Sequence, residues 1–371
     1  MGNWKNGELG DFVTLKRGFD LPQQKREGGQ VPIFSSSGIT GTHSTAMVKA
    51  PGVITGRYGT IGEVFYAAKD FWPLNTTLFV EDFHGNDAKF IYYFLKTLEW
   101  SKFTSASAVP GINRNTVHKE IVSLPDIETQ RRIASTLSMF DEKIKINTEI
   151  NDNLEQQAHS YFQELFVDNA SPEWTTGTIS DLGTVVGGST PSKAKPEYYT
   201  ESGIAWITPK DLSINKSKFV SHGENDITEL GLKNSSAAIM PEGTVLFSSR
   251  APIGYIAIAA GEVTTNQGFK SVVPKPEIGT PFVYFFLKNT LPVIEGMASG
   301  STFKEVSGST IKNVPAVIPD AETLAKFSDF CAPIFAQQRI LEEQNQSLAT
   351  LRDNLLPKLM SGEIDVSTVQ L

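Results

Sequence analysis

The stretch DIETQRRIASTLSMFDEKIKINTEINDNLEQQAHSYFQELF, residues 126–166, decides how the chain is built, because the chain contains its pattern twice. Ile133, Leu137, Phe140, Ile144, Asn147, Asn151, Leu154, Ala158, Tyr161 and Leu165 follow one another at alternating steps of four and three. Adding 194 to each number gives Phe327, Cys331, Ile334, Gln338, Leu341, Asn345, Leu348, Arg352, Leu355 and Leu359, mostly apolar and in the same register. An apolar repeat of about 3.5 residues predicts a helix that turns one seam towards another helix. Two copies in one chain place that partner inside the molecule. About forty residues at 1.5 Å each make helices roughly 60 Å long. A whole domain separates the copies, so the economical packing is antiparallel, with a globular domain at each end of the rod. Asn147, Asn151, Gln338, Asn345 and Arg352 form polar layers in the seam. In a two-helix seam such layers lower stability but fix register and orientation; alternatively they face solvent or a third helix from a partner.

Outward from the helices, the rest of the chain also repeats. GELGDFVTLKRG (7–18) matches GTISDLGTVVGG (177–188) at Gly7/Gly177, Asp11/Asp181, Thr14/Thr184 and Gly18/Gly188, a shift of 170. FIYYFLK (90–96) meets FVYFFLK (282–288) at 192, and LPDIET (124–129) meets IPDAET (318–323) at 194. The growing offset puts about two dozen extra residues in the second half, mostly between 190 and 240. A period this long is domain duplication, not a solenoid. Each half opens with short strand-like runs, such as Gly52–Thr55 and Gly243–Phe247, broken by Gly, Pro, Ser and Asn turns. An aromatic amphipathic helix follows (88–98; 281–289), then a polar loop (105–115; 298–309), then a short strand ending in Pro-Asp. Asp126 and Asp320 are helix N-caps, with Glu128 and Glu322 in the first turn. Pro333 is placed to kink the second helix, and Gly362 to stop it. The expected fold class is α+β: two mixed α/β domains, 1–125 and 167–319, joined by a long central helix, 126–166, and a C-terminal helix and tail, 320–371. The helices form an antiparallel coiled coil about a pseudo-twofold.

With 371 residues, 40% of them hydrophobic and 20% charged, the chain has the size and balance of a multidomain globular protein. No uncharged apolar run approaches the length of a membrane span, and the N-terminus lacks a secretory core, so the cytoplasm is the expected compartment. The single cysteine, Cys331, excludes a disulfide framework and a cysteine-rich zinc site. The net charge of −8 is unevenly spread. Residues 1–125 hold 13 basic and 11 acidic side chains, and residues 167–319 hold 12 and 14. Residues 126–166 and 320–371 each hold 4 and 8, so the helical segments carry the acidity and the globular ones are near neutral. A local basic face fits this balance; a DNA-wrapping surface does not. If DNA is the ligand, another subunit supplies much of the phosphate contact.

Catalytic signatures are missing, and the chain is not expected to be an enzyme. There is no nucleotide-binding G-x-x-x-x-G-K-[ST], no Pro-Pro for the amino-methyltransferase box, and no histidine pair at helical metal-ligand spacing. Gly56–Gly62 is glycine-rich, but a bulge or turn explains it better than a phosphate loop. Pro125-Asp126 with Asp141-Glu142-Lys143 imitates a nuclease pattern, but these residues lie along one helix; a cap and an exposed charged face explain them. The aromatic helices are spaced for core packing, not for stacking bases. The remaining functional candidates sit in the polar loops. In the first half they are Lys16, Arg17, Arg57, Tyr58, Asn113 and Arg114; in the second, Ser189, Thr190, Lys193, Lys195, Lys210, Arg250, Asn266, Gln267, Ser301, Thr302 and Lys304. Arg, Lys, Asn and Gln read base edges, while Ser, Thr and Lys suit phosphates. Arg57/Arg250 and Asn75/Asn266 recur at matching places. Loops are polar anyway, and Arg57 or Arg250 could equally pair with a carboxylate.

The layout of domain, long helix, domain, long helix resembles the specificity subunit of type I restriction–modification systems. The residues carrying the resemblance are Gly187-Gly188-Ser189-Thr190-Pro191-Ser192, Trp206-Ile207-Thr208-Pro209-Lys210-Asp211-Leu212, ASGSTF (298–303), LLPKLMSGEI (355–364) and the P-x-x-E-x-Q-R-R-I run at 125–133. They span nearly the whole chain. The first domain departs from the pattern, with Gly18-Phe19-Asp20 and Pro32–Gly38 in place of the first two motifs, which puts its target in doubt but not its role. The resemblance implies a non-catalytic reader of double-stranded DNA. Each globular domain would be a target-recognition domain for one half of a split site, with the helices as ruler. The seam residues Ile133, Leu137, Phe140, Ile144, Leu154, Tyr161, Leu165, Phe327, Ile334, Leu341, Leu348, Leu355 and Leu359 would hold the helix pair. Two methyltransferase subunits carrying S-adenosylmethionine would dock on the helices, and restriction subunits using ATP would join; this chain itself would hold no cofactor and no metal. The competing reading is a two-headed coiled-coil adaptor for proteins or glycans.

Overall fold

The computed structural model describes residues 4–104, 111–250, 252–300 and 304–366. They form two compact units, Met1–Lys145 with Gln346–Leu371, and Ile146–Asn345. The first long helix runs Ile127–Gln163 and closes in a π-helical turn, Glu164–Asp168; the second runs Ala321–Met360, with Pro333 inside it. Both start as the sequence predicts. The Thr129 N–H donates to the Asp126 carboxylate at 2.9 Å, and the Thr323 N–H to Asp320 at 2.9 Å.

In the first unit a four-stranded antiparallel sheet has the order Thr14–Arg17, Thr77–Asp82, Gly52–Gly56, Val64–Ala67. A smaller sheet joins Gly38–His43, Val31–Ser35 and Trp72–Pro73. In the second unit Gly183–Gly187, Lys270–Pro274, Val245–Ser249 and Ile253–Ala259 repeat the four-strand order, and Phe219–Val220 adds a parallel edge. The duplication extends to the entry of each unit. Lys5–Glu8 pairs with Ile121–Leu124, and Thr175–Thr178 with Pro315–Ile318. One-turn helices follow, and Asp11 and Asp181 each accept from a backbone N–H three residues earlier, at 3.0 and 2.8 Å. The extra residues of the second half form short elements, including the helices Pro209–Ile214 and Glu229–Lys233.

The aromatic helices, Ala88–Thr97 and Thr280–Gly296, lie in the cores. Phe90, Ile91, Phe94 and Leu95 are buried with Ile133, Ala134, Leu137, Leu356 and Leu359 in the first unit. Phe282, Phe285 and Leu287 are buried with Ala158, Phe162, Phe327, Cys331 and Ile334 in the second. No seam position of either long helix is exposed.

The polar layers meet across the helices. In the second unit the Asn147 amide donates to Asn345 Oδ1 at 2.9 Å, and the Gln338 amide to the Asn151 carbonyl at 3.2 Å. One number falls as the other rises, so these segments run in opposite directions. In the first unit Arg352 donates to Asp141 at 2.5 Å, and the Tyr93 hydroxyl to its other oxygen at 2.5 Å. Asp141 is therefore half-buried and paired, which corrects the reading of Asp141–Lys143 as an exposed face; Glu142 and Lys143 alone are exposed. Arginine reaches across because its guanidinium can satisfy a partly buried carboxylate that solvent no longer hydrates.

Lys218, buried in the second unit, donates to Glu155 at 2.8 Å and to Gln338 Oε1 at 2.9 Å. Lys288 reaches the other Glu155 oxygen at 2.5 Å. Burial disfavours the Glu155 charge, but the two ammonium groups outweigh it and hold its pKa at about 2. Burial likewise lowers Lys218, to about 8, against the pull of Glu155. A carboxylate depressed from its ordinary 4.5 contributes stability above that pH and loses it as the pH falls towards about 2. Glu155→Gln should therefore destabilise the protein by about 3–5 kcal/mol at neutral pH, because it leaves Lys218 buried without its counter-charge. In urea denaturation followed by circular dichroism, the gap between variant and wild type should narrow as the pH drops below 4.5.

Candidate nucleic-acid interface

Each unit carries a polar cleft on the loops beside its main sheet. In the first unit a cleft of about 770 Å³ is lined by Lys16 and Arg17 on the edge strand, Gly18–Asp20 after it, Arg57 and Tyr58 after the central strand, and Gly111–Arg114. The backbone fixes these groups. The Arg57 and Tyr58 N–H groups both donate to the Thr76 carbonyl, at 2.8 and 3.2 Å, and Ile112 N–H donates to the Arg57 carbonyl at 3.0 Å. The Arg57 guanidinium lies 4.5 Å from the centre of the Tyr58 ring and donates to its hydroxyl at 3.3 Å. That stacking leaves most of its donor fork open. Asn113 caps the short helix Arg114–His118 by accepting the Asn115 N–H at 3.0 Å. Lys16 pairs with Glu81 at 2.5 Å and Arg17 with Asp20 at 3.3 Å, both pairs largely exposed. Asp20 also accepts from Asn75, the counterpart of Asn266.

In the second unit a cleft of about 480 Å³ is lined by Thr190, Lys193, Trp206, Thr208–Asp211, Glu224, Asn225, Arg250 and Asn266–Gly268. The Trp206 indole donates to the Ser189 carbonyl at 3.0 Å, which holds the glycine-rich turn against the Trp206–Ile207 strand. Asp211 is the hub of the floor: one oxygen accepts the Thr208 N–H at 2.7 Å and hydroxyl at 2.6 Å, the other the Glu224 N–H at 2.9 Å. Thr190 donates to Gln267, and Asn266 Oδ1 accepts the Gly268 N–H at 2.8 Å. Lys210 pairs with Glu224 at 2.5 Å, and the hydrogen bond raises its pKa. Arg250 pairs with Glu305 at 3.3 Å, the carboxylate alternative that the sequence leaves open.

Of the candidates named from sequence, Lys16, Arg17, Arg57, Tyr58, Asn113 and Arg114 meet in the first cleft, and Thr190, Lys193, Lys210, Arg250, Asn266 and Gln267 in the second. Ser189 lies outside the lining, its carbonyl accepting from Trp206 and its N–H donating to the Thr265 carbonyl at 2.8 Å, and Lys195 also sits outside, paired with Glu197 at 3.6 Å. Lys304 is exposed beside Glu305 and does not line the cleft; Ser301 and Thr302 lie outside the described residues. Sequence reasoning missed Trp206, Thr208, Asp211 and Glu224 as lining groups. The WITPKDL run carried the first three, and only the fold brings Glu224 to them. Among the described residues no group of His, Cys, Asp and Glu could hold a metal ion, and no helix is long and apolar enough to cross a membrane.

Residues 1–156 and 172–351 match the sequence model of the family described as type I restriction modification DNA specificity domain. The type I restriction enzyme MjaIX specificity subunit of Methanocaldococcus jannaschii is 39% identical over 191 residues, 49% of this chain and 44% of that one. The type I restriction enzyme HindI specificity subunit of Haemophilus influenzae is 24% identical over 347 residues, 72% of this chain and 75% of that one. This chain thus spans less than half of the first relative and three quarters of the second. Its fold is similar to the crystal structure of the type I restriction–modification S subunit from M. genitalium, with a TM-score of 0.63 at 19% identity over 96% of both chains.

The glycine that opens each cleft has no room for a side chain. A Cβ on Gly18 would lie 2.2 Å from the Leu74 carbonyl oxygen, and one on Gly188 would lie 1.9 Å from that of Asn266. Gly188→Ala should push the Asn266–Gly268 turn out of place and lower stability by about 1–3 kcal/mol in urea denaturation. Cleft binding should fall with it, whereas Ala at the open position Gly261 should change neither.

Proposed function

Because the chain belongs to the type I restriction modification DNA specificity family, we propose that it is the non-catalytic subunit that selects the DNA target of such a complex. Each cleft reads one half of a split double-stranded site. Residues 1–125 and 167–319 are the two target-recognition domains, and the long helices, paired as a coiled coil, set the gap between half-sites. The observation that carries this reading is the recurrence, in both clefts, of side chains able to read base edges: Arg57, Asn113 and Arg114 in one; Arg250, Asn266 and Gln267 in the other. Backbone hydrogen bonds hold Arg57 and Asn266 just past strand ends, and Asn113 caps the short helix that Arg114 begins.

Several cations of the clefts are already paired, so phosphate attraction alone gives modest affinity. Two methyltransferase subunits, binding S-adenosylmethionine, supply the chemistry and further DNA contact in the cytoplasm; restriction subunits add ATP-driven cleavage. Large apolar side chains on the outer faces of the long helices support a docking role there: Met139, Ile146, Ile150, Ile340 and Leu351 are 39–52% exposed. Acidic helices and near-neutral domains fit the same division of labour.

Methylation mapping of a host that expresses the chain with its neighbouring methyltransferase should reveal two short half-sites around a fixed gap. Exchanging residues 1–125 for another recognition domain should change one half-site only. No new motif, with both proteins folded and associated, would reject the proposal. Arg57→Ala should weaken discrimination at one base position by about 1–3 kcal/mol, and Arg250→Ala should do so in the other half-site. The isolated chain should bind DNA weakly, with an affinity that falls as salt rises, and tighten when the methyltransferase is added.

A further inference from the structure

Apart from both clefts, the second unit holds an apolar groove of about 340 Å³ whose walls include Phe162, Phe166, Trp174, Phe282, Phe286 and Val317. Its lining contains no charged side chain, and Val167 and Val317 are 41% and 43% exposed. The internal repeat shows what such a groove receives. Phe162 and Phe166 correspond to Leu356 and Met360, Phe282 and Phe286 to Phe90 and Phe94, Ala316 to Val122, and Trp174 to Trp4. In the first unit, Phe90, Phe94, Val122, Leu356 and Met360 share one buried core with Val366, which is 2% exposed, and Ile364 packs against it. The filling comes from the tail of the second long helix.

The way the tail arrives is a backbone matter. Gly362 has a φ of +75°, the left-handed conformation that ends a helix and turns the chain back. A Cβ there would stand 2.9 Å from the Trp4 ring, so the tail crosses that indole closely. At the matching place the second unit has Asp168, the last residue of the π-helical turn, and the Asn169 N–H closes on the Glu164 carbonyl at 3.1 Å. The positions matching Ile364 and Val366 are Ala170 and Pro172, both exposed. The second unit has the walls without the two aliphatic side chains that fill them in the first.

We propose that this groove docks a short segment of a partner polypeptide that carries two aliphatic side chains two residues apart, the pattern of Ile364 and Val366. The proposal goes beyond target reading, and no residue of either cleft lines the groove. The probe is a fluorescent peptide of residues 358–366, KLMSGEIDV, titrated with the full chain and followed by anisotropy. Binding should saturate and should weaken at least about tenfold when the peptide carries Ile364→Ser and Val366→Ser. It should weaken as much, at least about tenfold, when the chain carries Ala170→Ile and Pro172→Val, substitutions at exposed positions that give the groove its own filling. Absent binding by a folded chain, or binding that neither pair of substitutions changes, would overturn the proposal. So would concentration-dependent self-association that the Ala170→Ile, Pro172→Val chain abolishes, because the occupant would then be a second copy. Methylation mapping reports the clefts alone, so either result can fail without the other.

Discussion

Everything in this molecule depends on two helices that cannot stand alone. A helix of some forty residues with a narrow apolar seam gains little stability in water; it needs a partner along its whole length. Within each unit a segment of one long helix shares a core with a segment of the other, and polar pairs tie the two. In an all-leucine seam, sliding by one heptad changes little. The Asn147–Asn345 hydrogen bond satisfies the buried Asn147 Nδ2 in this alignment, and losing it costs about 1–3 kcal/mol. The Arg352–Asp141 pair does the same in the first unit, with a charge at stake. If the helices measure the distance between two readings, a fixed register is what makes the measurement reproducible.

The second unit ties the edge of its main sheet to the long helices through Lys218. Its side chain bridges Glu155 and Gln338, while the N–H groups of Lys218 and Phe219 donate to Glu342 at 2.8 and 3.0 Å. The Lys218 ammonium also lies 3.5 Å from the centre of the Phe335 ring. One buried cation therefore joins the sheet edge at Phe219–Val220 to both long helices of that unit. A buried pair of this kind adds little net stability over apolar packing, but it penalises every misplaced arrangement. Its effect is on geometry more than on free energy.

How much of this was legible beforehand follows from which interactions are local. The seam, the Asp126 and Asp320 caps and the repeated entry motif are set by residues within a few positions of one another, and a single sequence displays them. The same holds for the aromatic helices, whose spacing marks them as core. The polar loop residues were visible as a chemical type, and the fold gathers twelve of those named into two clefts. What stayed hidden were pairings across long sequence separations. Asp141 looked like part of a charged face because its partners, Tyr93 and Arg352, stand 48 and 211 residues away. Glu305 beside Arg250, Lys218 between Glu155 and Gln338, and the apolar groove of the second unit likewise belong to the fold and not to any local pattern.

The ion pairs of the clefts bear on the reading proposed for them. Lys16, Arg17, Lys210 and Arg250 each face a carboxylate within 3.3 Å, so their fields largely cancel at a distance. The Arg57 guanidinium instead lies 4.5 Å from the centre of the Tyr58 ring. A surface of this kind attracts phosphates weakly and indiscriminate duplex even more weakly, because counterion release scales with the charges neutralised. A ligand must displace or share the existing pairs, and it gains only where its own donors and acceptors match the fork of Arg250 or the amides of Asn266 and Gln267. Wrong partners then leave exposed pairs undisturbed and contribute nothing. On the proposed reading, selectivity would rest on the geometry of a few polar groups, and affinity on whatever docks beside them.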